Sequence, residues 1–185
     1  MRTAELERNS KETQIKVSLN VDGKGEAKIK TPVGFLDHML GLFAFHGYFD
    51  LDLNVAGDTQ IDIHHTNEDI GIVLGKAFKK ALGEEKSGIK RFGYAFAPME
   101  ATVGRCVIDV SGRGFFKLNT EGVLPAQKGT EGYELSHFEH FMESFAHQLG
   151  ATLSFTLQNP SDDLHTNLET MFKSLGLALD MATAA

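Results

Sequence analysis

HHTNE at residues 64–68 and HTNLE at residues 165–169 each open a run of apolar residues with helical spacing. In both segments a histidine precedes a glutamate by four positions. Residues i and i+4 lie on the same face of a helix, so each pair is placed to bind one ion from the same side. The two segments therefore predict two similar helices, each carrying half of a metal site.

A second pair of segments repeats in the same order. LDHML at residues 36–40 precedes the first helix pair, and FEHFM at residues 138–142 precedes the second. Repetition at matching places indicates an internal duplication. We therefore predict two related halves, residues 1–93 and 94–185, each containing strands and helices, that together form one compact unit.

The apolar pattern predicts the individual elements. The predicted helices are Phe35–Gly47, about Thr66 to Leu82, Leu135–Gly150 and Leu164–Ala182. The predicted strands are Thr13–Leu19 and Gly25–Lys30 as one hairpin, then Asp50–Ala56, Thr59–Ile63, Tyr94–Ala97, Thr102–Val110, Phe115–Leu118 and Ala151–Leu157. A polar segment with one proline and three glycines, Asn119–Gly132, is predicted to be a loop between functional halves.

Composition excludes several classes of protein. The chain has 185 residues, 42% of them hydrophobic, which is enough for a proper core. Its net charge is −7 and its basic residues are scattered, so a nucleic-acid partner is disfavoured. No apolar run suits a signal peptide or a membrane span. The single cysteine, Cys106, is interpreted as a small buried hydrophobe, and we expect a cytoplasmic protein.

The two helix pairs suit a particular metal chemistry. His64 with Glu68 and His165 with Glu169 offer imidazole and carboxylate, which fit Mn²⁺, Zn²⁺ or Fe²⁺ better than a hard all-oxygen ion. Further ligands would come from elsewhere in the chain or from a neighbouring subunit. The obvious donors are His65 and His38. The alternative is an ordinary helix N-terminus, but two matched pairs favour the metal site.

Other histidines are interpreted more simply. His137 and His147 have no counterpart in the first half and are interpreted as surface or helix-face residues. His46, just before a glycine, is either a helix-end cation or a site residue.

Several segments together resemble one family, imidazoleglycerol-phosphate dehydratase, an enzyme of histidine biosynthesis. The matching segments are RNSKET (8–13), GFLDHML (34–40), GDTQIDIHHTNEDIGIVLG (57–75), GIKRFG (88–93), DVSGR (109–113) and LETMFK (168–173). The resemblance implies a duplicated α+β fold like that of ribosomal protein S5 domain 2, in which each half is a small β-sheet with helices packed on one face. It also implies trimers assembled into a 24-subunit homo-oligomer, with a pair of Mn²⁺ ions at subunit interfaces.

The resemblance further implies a reaction and its residues. Family members remove water from imidazole glycerol phosphate to give imidazole acetol phosphate without a redox cofactor. The implied metal ligands are His38, His64, His65, Glu68, His165 and Glu169. Glu12 is the implied acid-base residue, with His64 and Glu68 also catalytic. The residues assigned to the substrate and its phosphate are Arg91, Arg113, Lys173 and His46.

The chain departs from the family pattern in its second half. Thr166 and Ser154 stand where family members have histidine, and Glu100-Ala101 replaces an aspartate-glutamate pair. Gly114 replaces a proline, and a lysine-bearing tail is missing. These losses predict one impaired metal site, with one or two Mn²⁺ ions per subunit.

The departures leave an alternative function open: a homologue that keeps the fold, has lost the reaction and serves as a structural or binding protein. An unrelated metallohydrolase would need a water-activating site that the motifs do not indicate.

Overall fold

The computed structural model describes residues 1–60, 62–83 and 88–185. Its elements follow the same order twice: three strands, a helix, a strand and a helix. The first set is β1 (Thr3–Asn9), β2 (Thr13–Asn20), β3 (Ala27–Lys30), α1 (Gly34–His46), β4 (Asp50–Gly57) and α2 (His64–Leu82). The second set is β5 (Phe92–Met99), β6 (Thr102–Asp109), β7 (Phe115–Glu121), α3 (Leu135–Leu149), β8 (Thr152–Gln158) and α4 (Leu164–Thr183).

Each half forms a four-stranded sheet, and the two sheets share one topology. The strand orders are β1-β2-β4-β3 and β5-β6-β8-β7. In both sheets the third strand of the set pairs in parallel with the fourth, and the other neighbours are antiparallel. This repetition confirms the predicted α+β fold of two related halves, while the exact boundary at residues 93 and 94 stays a prediction.

The predicted hairpin of Thr13–Leu19 with Gly25–Lys30 is wrong. The two strands form as β2 and β3, but β4 lies between them. The carboxylate of Asp50 in β4 accepts backbone N–H groups of Lys24 and Glu26, at 2.7 and 3.1 Å. The turn is therefore attached to β4, and the chain crosses to that strand's far edge instead of folding back on β2.

The predicted strand Thr59–Ile63 is wrong for residues 59, 60, 62 and 63, which form no strand. Residue 61 lies outside the described residues. Two aspartates turn the backbone here. Asp58 Oδ1 accepts from Gln60 N at 3.1 Å, and Asp62 Oδ1 accepts from His64 N at 2.9 Å. Such local side-chain bonds compete with strand pairing and lead the chain into α2.

The apolar pattern does not predict β1, which is an edge strand. Its outward residues are mostly charged or polar, and its apolar inward residues are Ala4 and Leu6. The predicted loop of 119–132 is also shortened, because β7 continues to Glu121.

The helices of the two halves pack against each other between the sheets. α2 packs on β1, β2 and α3, and α4 packs on β5, β6 and α1. Glycines permit the close crossings. A Cβ atom on Gly75 would lie 2.6 Å from the carbonyl oxygen of Phe145, and one on Gly176 would lie 2.5 Å from that of Phe43. The core is therefore continuous across both halves.

Two compositional expectations can be compared with the structure. Cys106 is fully buried in that core, and burial raises the pKa of its thiol, which confirms its interpretation as a small hydrophobe. Within the described residues, none of the helices combines the length and apolar character that crossing a membrane requires.

Candidate metal centres

One group of side chains, the α1–α4 cluster, consists of His38, His165 and Glu169. His165 Nε2 lies 2.9 Å from Glu169 Oε2, and His38 Nε2 lies 3.5 Å from the same oxygen. One ligand atom from each residue can be chosen so that all three lie within 4.8 Å of one another. Two imidazoles and a carboxylate at this separation are a donor set suited to Mn²⁺ or another divalent transition metal.

Local structure holds these donors in place. The Asp163 carboxylate caps α4 by accepting the backbone N–H of His165 at 3.0 Å. His165 thus lies in the first turn of the helix, with the glutamate one turn further on the same face. At the start of α1, Asp37 accepts both the backbone N–H and the hydroxyl of Thr31, at 3.0 and 2.6 Å. That contact fixes the helix turn that carries His38.

Lys173 contributes a charge to the α1–α4 cluster. Its Nζ lies 2.6 Å from Glu169 Oε1. Burial acts to raise the pKa of Glu169, but the hydrogen bonds from Lys173 and His165 outweigh it, so the pKa lies below its usual value. The carboxylate is therefore ionised, with Oε1 turned to the ammonium group and Oε2 to the histidines.

A second group, the α2–α3 cluster, consists of His64, Glu68 and His140. His64 Nε2 lies 3.4 Å from Glu68 Oε2, and the rings of His64 and His140 are perpendicular with centroids 4.7 Å apart. The ring of His65 is 5.5 Å from that of His64. The Glu68 side chain is 42% exposed, against 11% for Glu169. The α2–α3 cluster is thus the more open of the two.

The two clusters have the same composition and the same origin in the repeat. Each takes a histidine and a glutamate, four positions apart, from a long helix, and a histidine from the short helix of the other half. His140 is not among the predicted metal ligands, although the sequence offers it, with His137 and His147, as a substitute for a lost histidine. The signal was present in the matched segments LDHML and FEHFM, in which His140 occupies the position of His38.

Glu12 lies in a cleft next to His65, and within the described residues it is a member of neither cluster. Glu12, Asp58, Asp62 and His65 line this cleft together. The backbone carbonyl of Glu12 accepts from the N–H of Asp58 at 3.3 Å, which ties the β1–β2 turn to the end of β4. Two residues predicted separately, Glu12 and His65, therefore converge at one place on the surface.

The residues assigned to the phosphate do not form one group within the chain. His46 ends α1 near Lys173: partial burial lowers its pKa, and the charge of Lys173 lowers it further. Arg91 lies elsewhere, with Nη2 3.0 Å from Asp109 Oδ1 and its backbone N–H bonded to Ala182 O. Arg113 is exposed between β6 and β7.

Position 166 has different surroundings from its counterpart in the first half. Each follows the cluster histidine directly, but Thr166 is buried whereas His65 is exposed. The loop between β7 and α3 runs along the start of α4, where Lys128 N donates to Asp162 O at 2.8 Å. Because Thr166 is buried, an imidazole ring at this position would have to displace its neighbours.

Ser154 is a different case, because of the face of the sheet on which it lies. Its neighbours Leu153 and Phe155 are buried toward the helices, and Ser154 lies beside Val107 and Lys117 on the outer face. A histidine at position 154 would point away from both clusters of its own chain. The loss of a ligand at Ser154 therefore stays a prediction, and it applies only to a site that includes a neighbouring subunit.

Comparisons with known proteins identify one family. The family model described as imidazoleglycerol-phosphate dehydratase matches residues 31–179. A relative of that name from Pelobacter propionicus is 49% identical over 182 residues, covering 98% of this chain and 91% of the relative. One from Methanocella arvoryzae is 45% identical over 184 residues, covering 100% and 93%.

Solved structures agree as well. Imidazoleglycerol-phosphate dehydratase from Staphylococcus aureus superposes with a TM-score of 0.84 at 31% identity, covering 99% of both chains. The enzyme from Pyrococcus furiosus gives a TM-score of 0.81 at 34% identity, covering 97% of this chain and 93% of the other. With sequence and fold in agreement over nearly its whole length, this chain belongs to the imidazoleglycerol-phosphate dehydratase family.

Proposed function

We propose that this chain dehydrates imidazole glycerol phosphate to imidazole acetol phosphate, using Mn²⁺ held by the two histidine-glutamate clusters. The observation that carries the proposal is the convergence of His38, His165 and Glu169 on one point from two helices. Exposed acidic groups are common without an ion, but here two imidazoles lie beside a carboxylate whose side chain is only 11% exposed. The identity of the substrate is inferred from family membership, and the identity of the metal is inferred from the donor set.

The reaction removes a carbon-bound proton and a hydroxide as water, and the resulting enol becomes the ketone. A divalent cation at the clusters would stabilise negative charge on the imidazole ring of the substrate. Within the chain, Glu12 is proposed to move the proton in its cleft, where its neighbour is His65. Lys173 and His46 lie together beside the α1–α4 cluster and are proposed, with Arg91 and Arg113, to hold the phosphate.

We propose that the α1–α4 cluster binds Mn²⁺ more weakly than the α2–α3 cluster. The ammonium group of Lys173 lies against Glu169 and opposes a cation there. Thr166 also offers no imidazole beside His165. One or two ions per subunit are expected, depending on the Mn²⁺ concentration.

A homo-oligomer, by family resemblance a 24-subunit shell of trimers, is part of this proposal. Two features support contact between copies. The α2–α3 cluster is open on one side, with His65 exposed beside it. The outer face of the second sheet also exposes three aromatic rings on its edge strand, Phe92, Tyr94 and Phe96. A cytoplasmic location stays a prediction.

The test is to purify the protein with Mn²⁺, count bound ions per subunit by elemental analysis, and assay formation of imidazole acetol phosphate. We expect turnover that disappears on chelation and returns when Mn²⁺ is added. Glu12→Gln, which leaves both clusters intact, serves as the control and should bind Mn²⁺ without turnover. A folded protein that holds no ion and forms no product would support the alternative, a homologue retained for binding or structure.

A further inference from the structure

Asn67 in α2 makes an unusual pair of contacts with the other half of the chain. It is fully buried, next to Glu68 and one turn after His64. Its Nδ2 donates to the backbone carbonyl of His137 at 2.7 Å, and its Oδ1 accepts from the hydroxyl of Tyr133 at 2.7 Å. The amide of one side chain thus holds both α3 and the segment that leads into it.

Tyr133 is the partner that makes this contact rigid. Its side chain is fully buried, and its ring lies against Phe35 and His137, with centroids 5.3 and 5.2 Å away. Its backbone N–H donates to Thr130 O at 2.8 Å. A buried hydroxyl without a partner would be costly, so the bond to Asn67 constrains where the chain enters α3.

The consequence reaches the α2–α3 cluster through a single turn of helix. His137 lies in the first turn of α3, and His140 follows three residues later. A helix rises about 1.5 Å per residue and is stiff over one turn. Fixing the carbonyl of His137 to α2 therefore fixes the backbone that carries His140 relative to His64 and Glu68.

The second half has no matching contact. When the cluster pairs are aligned, His64 with His165 and Glu68 with Glu169, the position of Asn67 corresponds to Leu168, a fully buried apolar residue. Asn167, which looks similar in sequence, holds a different segment: its Nδ2 donates to Gln127 Oε1 and to Ser161 O. The bond to α3 thus belongs to the α2–α3 cluster alone.

We propose that Asn67 is a positioning residue for the α2–α3 cluster: through Tyr133 and the His137 carbonyl it sets the distance of His140 from His64 and Glu68. The affinity of that cluster for Mn²⁺ then depends on Asn67. This inference rests on the proposed function, since it takes the cluster to be a metal site.

The test measures Mn²⁺ binding at the α2–α3 cluster alone. Glu169→Gln is used as the background, because it removes the carboxylate of the other cluster. Asn67→Leu, which copies Leu168, and the double variant Asn67→Leu/Tyr133→Phe, which leaves no buried hydroxyl unpaired, are then titrated with Mn²⁺ by electron paramagnetic resonance. Loss of a group bonded directly to a metal ligand typically costs about 10- to 100-fold in metal affinity. Asn67 acts one contact further out, so we expect a loss at the lower end of this range, about 10-fold.

Asn167→Leu in the same background is the matched control, and its Mn²⁺ affinity should stay unchanged. Tyr133→Phe alone should give a smaller loss than Asn67→Leu, because the bond to His137 remains. Unchanged affinity in the folded double variant, with normal binding in the background protein, would overturn this inference alone. A background protein that binds no Mn²⁺ would overturn the metal assignment of the cluster and this inference together.

Discussion

The α2–α3 cluster and the α1–α4 cluster contain the same three types of side chain, but their carboxylates have different surroundings. Glu169 is 11% exposed and is bonded to Lys173 as well as His165, whereas Glu68 is 42% exposed with His64 as its ion-pair partner. A duplicated fold has thus kept its donors while the groups around them diverged. Exposure and an adjacent cation, more than the donor set, distinguish the two sites.

The helix crossings beneath the clusters have diverged too. Gly75 and Gly176 are matched glycines at which a Cβ would clash with the opposite backbone. α2 has a second such glycine, Gly71, which faces the Phe141 carbonyl, and the matched position in α4 is Phe172. The α2–α3 crossing therefore depends on two close backbone contacts, whereas the ring of Phe172 lies against Phe138 and Phe141 of α3.

The largest expected effect comes from removing each carboxylate in turn. Glu68→Gln and Glu169→Gln keep the side-chain shape and remove the charge. We expect each to lower kcat by about 100-fold or more, since outer partners of metal ligands already cost about 10- to 100-fold. Each variant should also lose the Mn²⁺ of its own cluster and keep the other, as measured by metal analysis after dialysis. Full activity in Glu169→Gln would show that the clusters are not equivalent in function.

The components of both clusters that lie on one helix could be predicted from the sequence. The spacing of four residues in His64/Glu68 and His165/Glu169 determines a shared helix face, because helix geometry is local. The duplication could also be predicted, from the histidines in LDHML and FEHFM. These signals depend on neighbours in the chain, and the structure brings both pairs together as expected.

The rest depends on contacts between distant segments, which spacing alone does not report. His140 joins His64 because α3 crosses α2, and Ser154 faces outward because of the register of β8 with β6. The parallel pairing of β3 with β4 likewise depends on Asp50 bonding to the preceding turn. In each case the pattern predicted the element correctly, but its partner was left undetermined or, for β3, wrongly assigned to β2.

A middle-sized effect is expected at position 166, which is buried although the matched residue His65 is exposed. Thr166→His inserts a ring at a buried position and should lower the free energy of unfolding by about 1–3 kcal/mol through overpacking. The matched change His65→Thr, at an exposed position, should stay within about 0.5 kcal/mol. Urea unfolding of the metal-free proteins measures both. If the Thr166→His protein is stable and binds Mn²⁺ more tightly, the missing imidazole alone explains the weaker binding of Mn²⁺ by the α1–α4 cluster.

The smallest expected effect is a pH dependence at the start of α3, which has no counterpart at α1. Partial burial lowers the pKa of His137, and its unprotonated Nδ1 accepts the backbone N–H of Glu134 at 2.9 Å. A histidine whose folded pKa is depressed stabilises the protein fully above its ordinary value near 6.5, and that stability is lost as the pH falls below it. Loss of a helix cap costs about 1 kcal/mol, so metal-free protein should lose up to about that amount between neutral and mildly acidic pH.

His137→Gln keeps an acceptor in the capping box without titrating, and its unfolding free energy should fall less over the same range. Equal pH slopes for the two proteins in urea unfolding would show that His137 does not couple protonation to the start of α3.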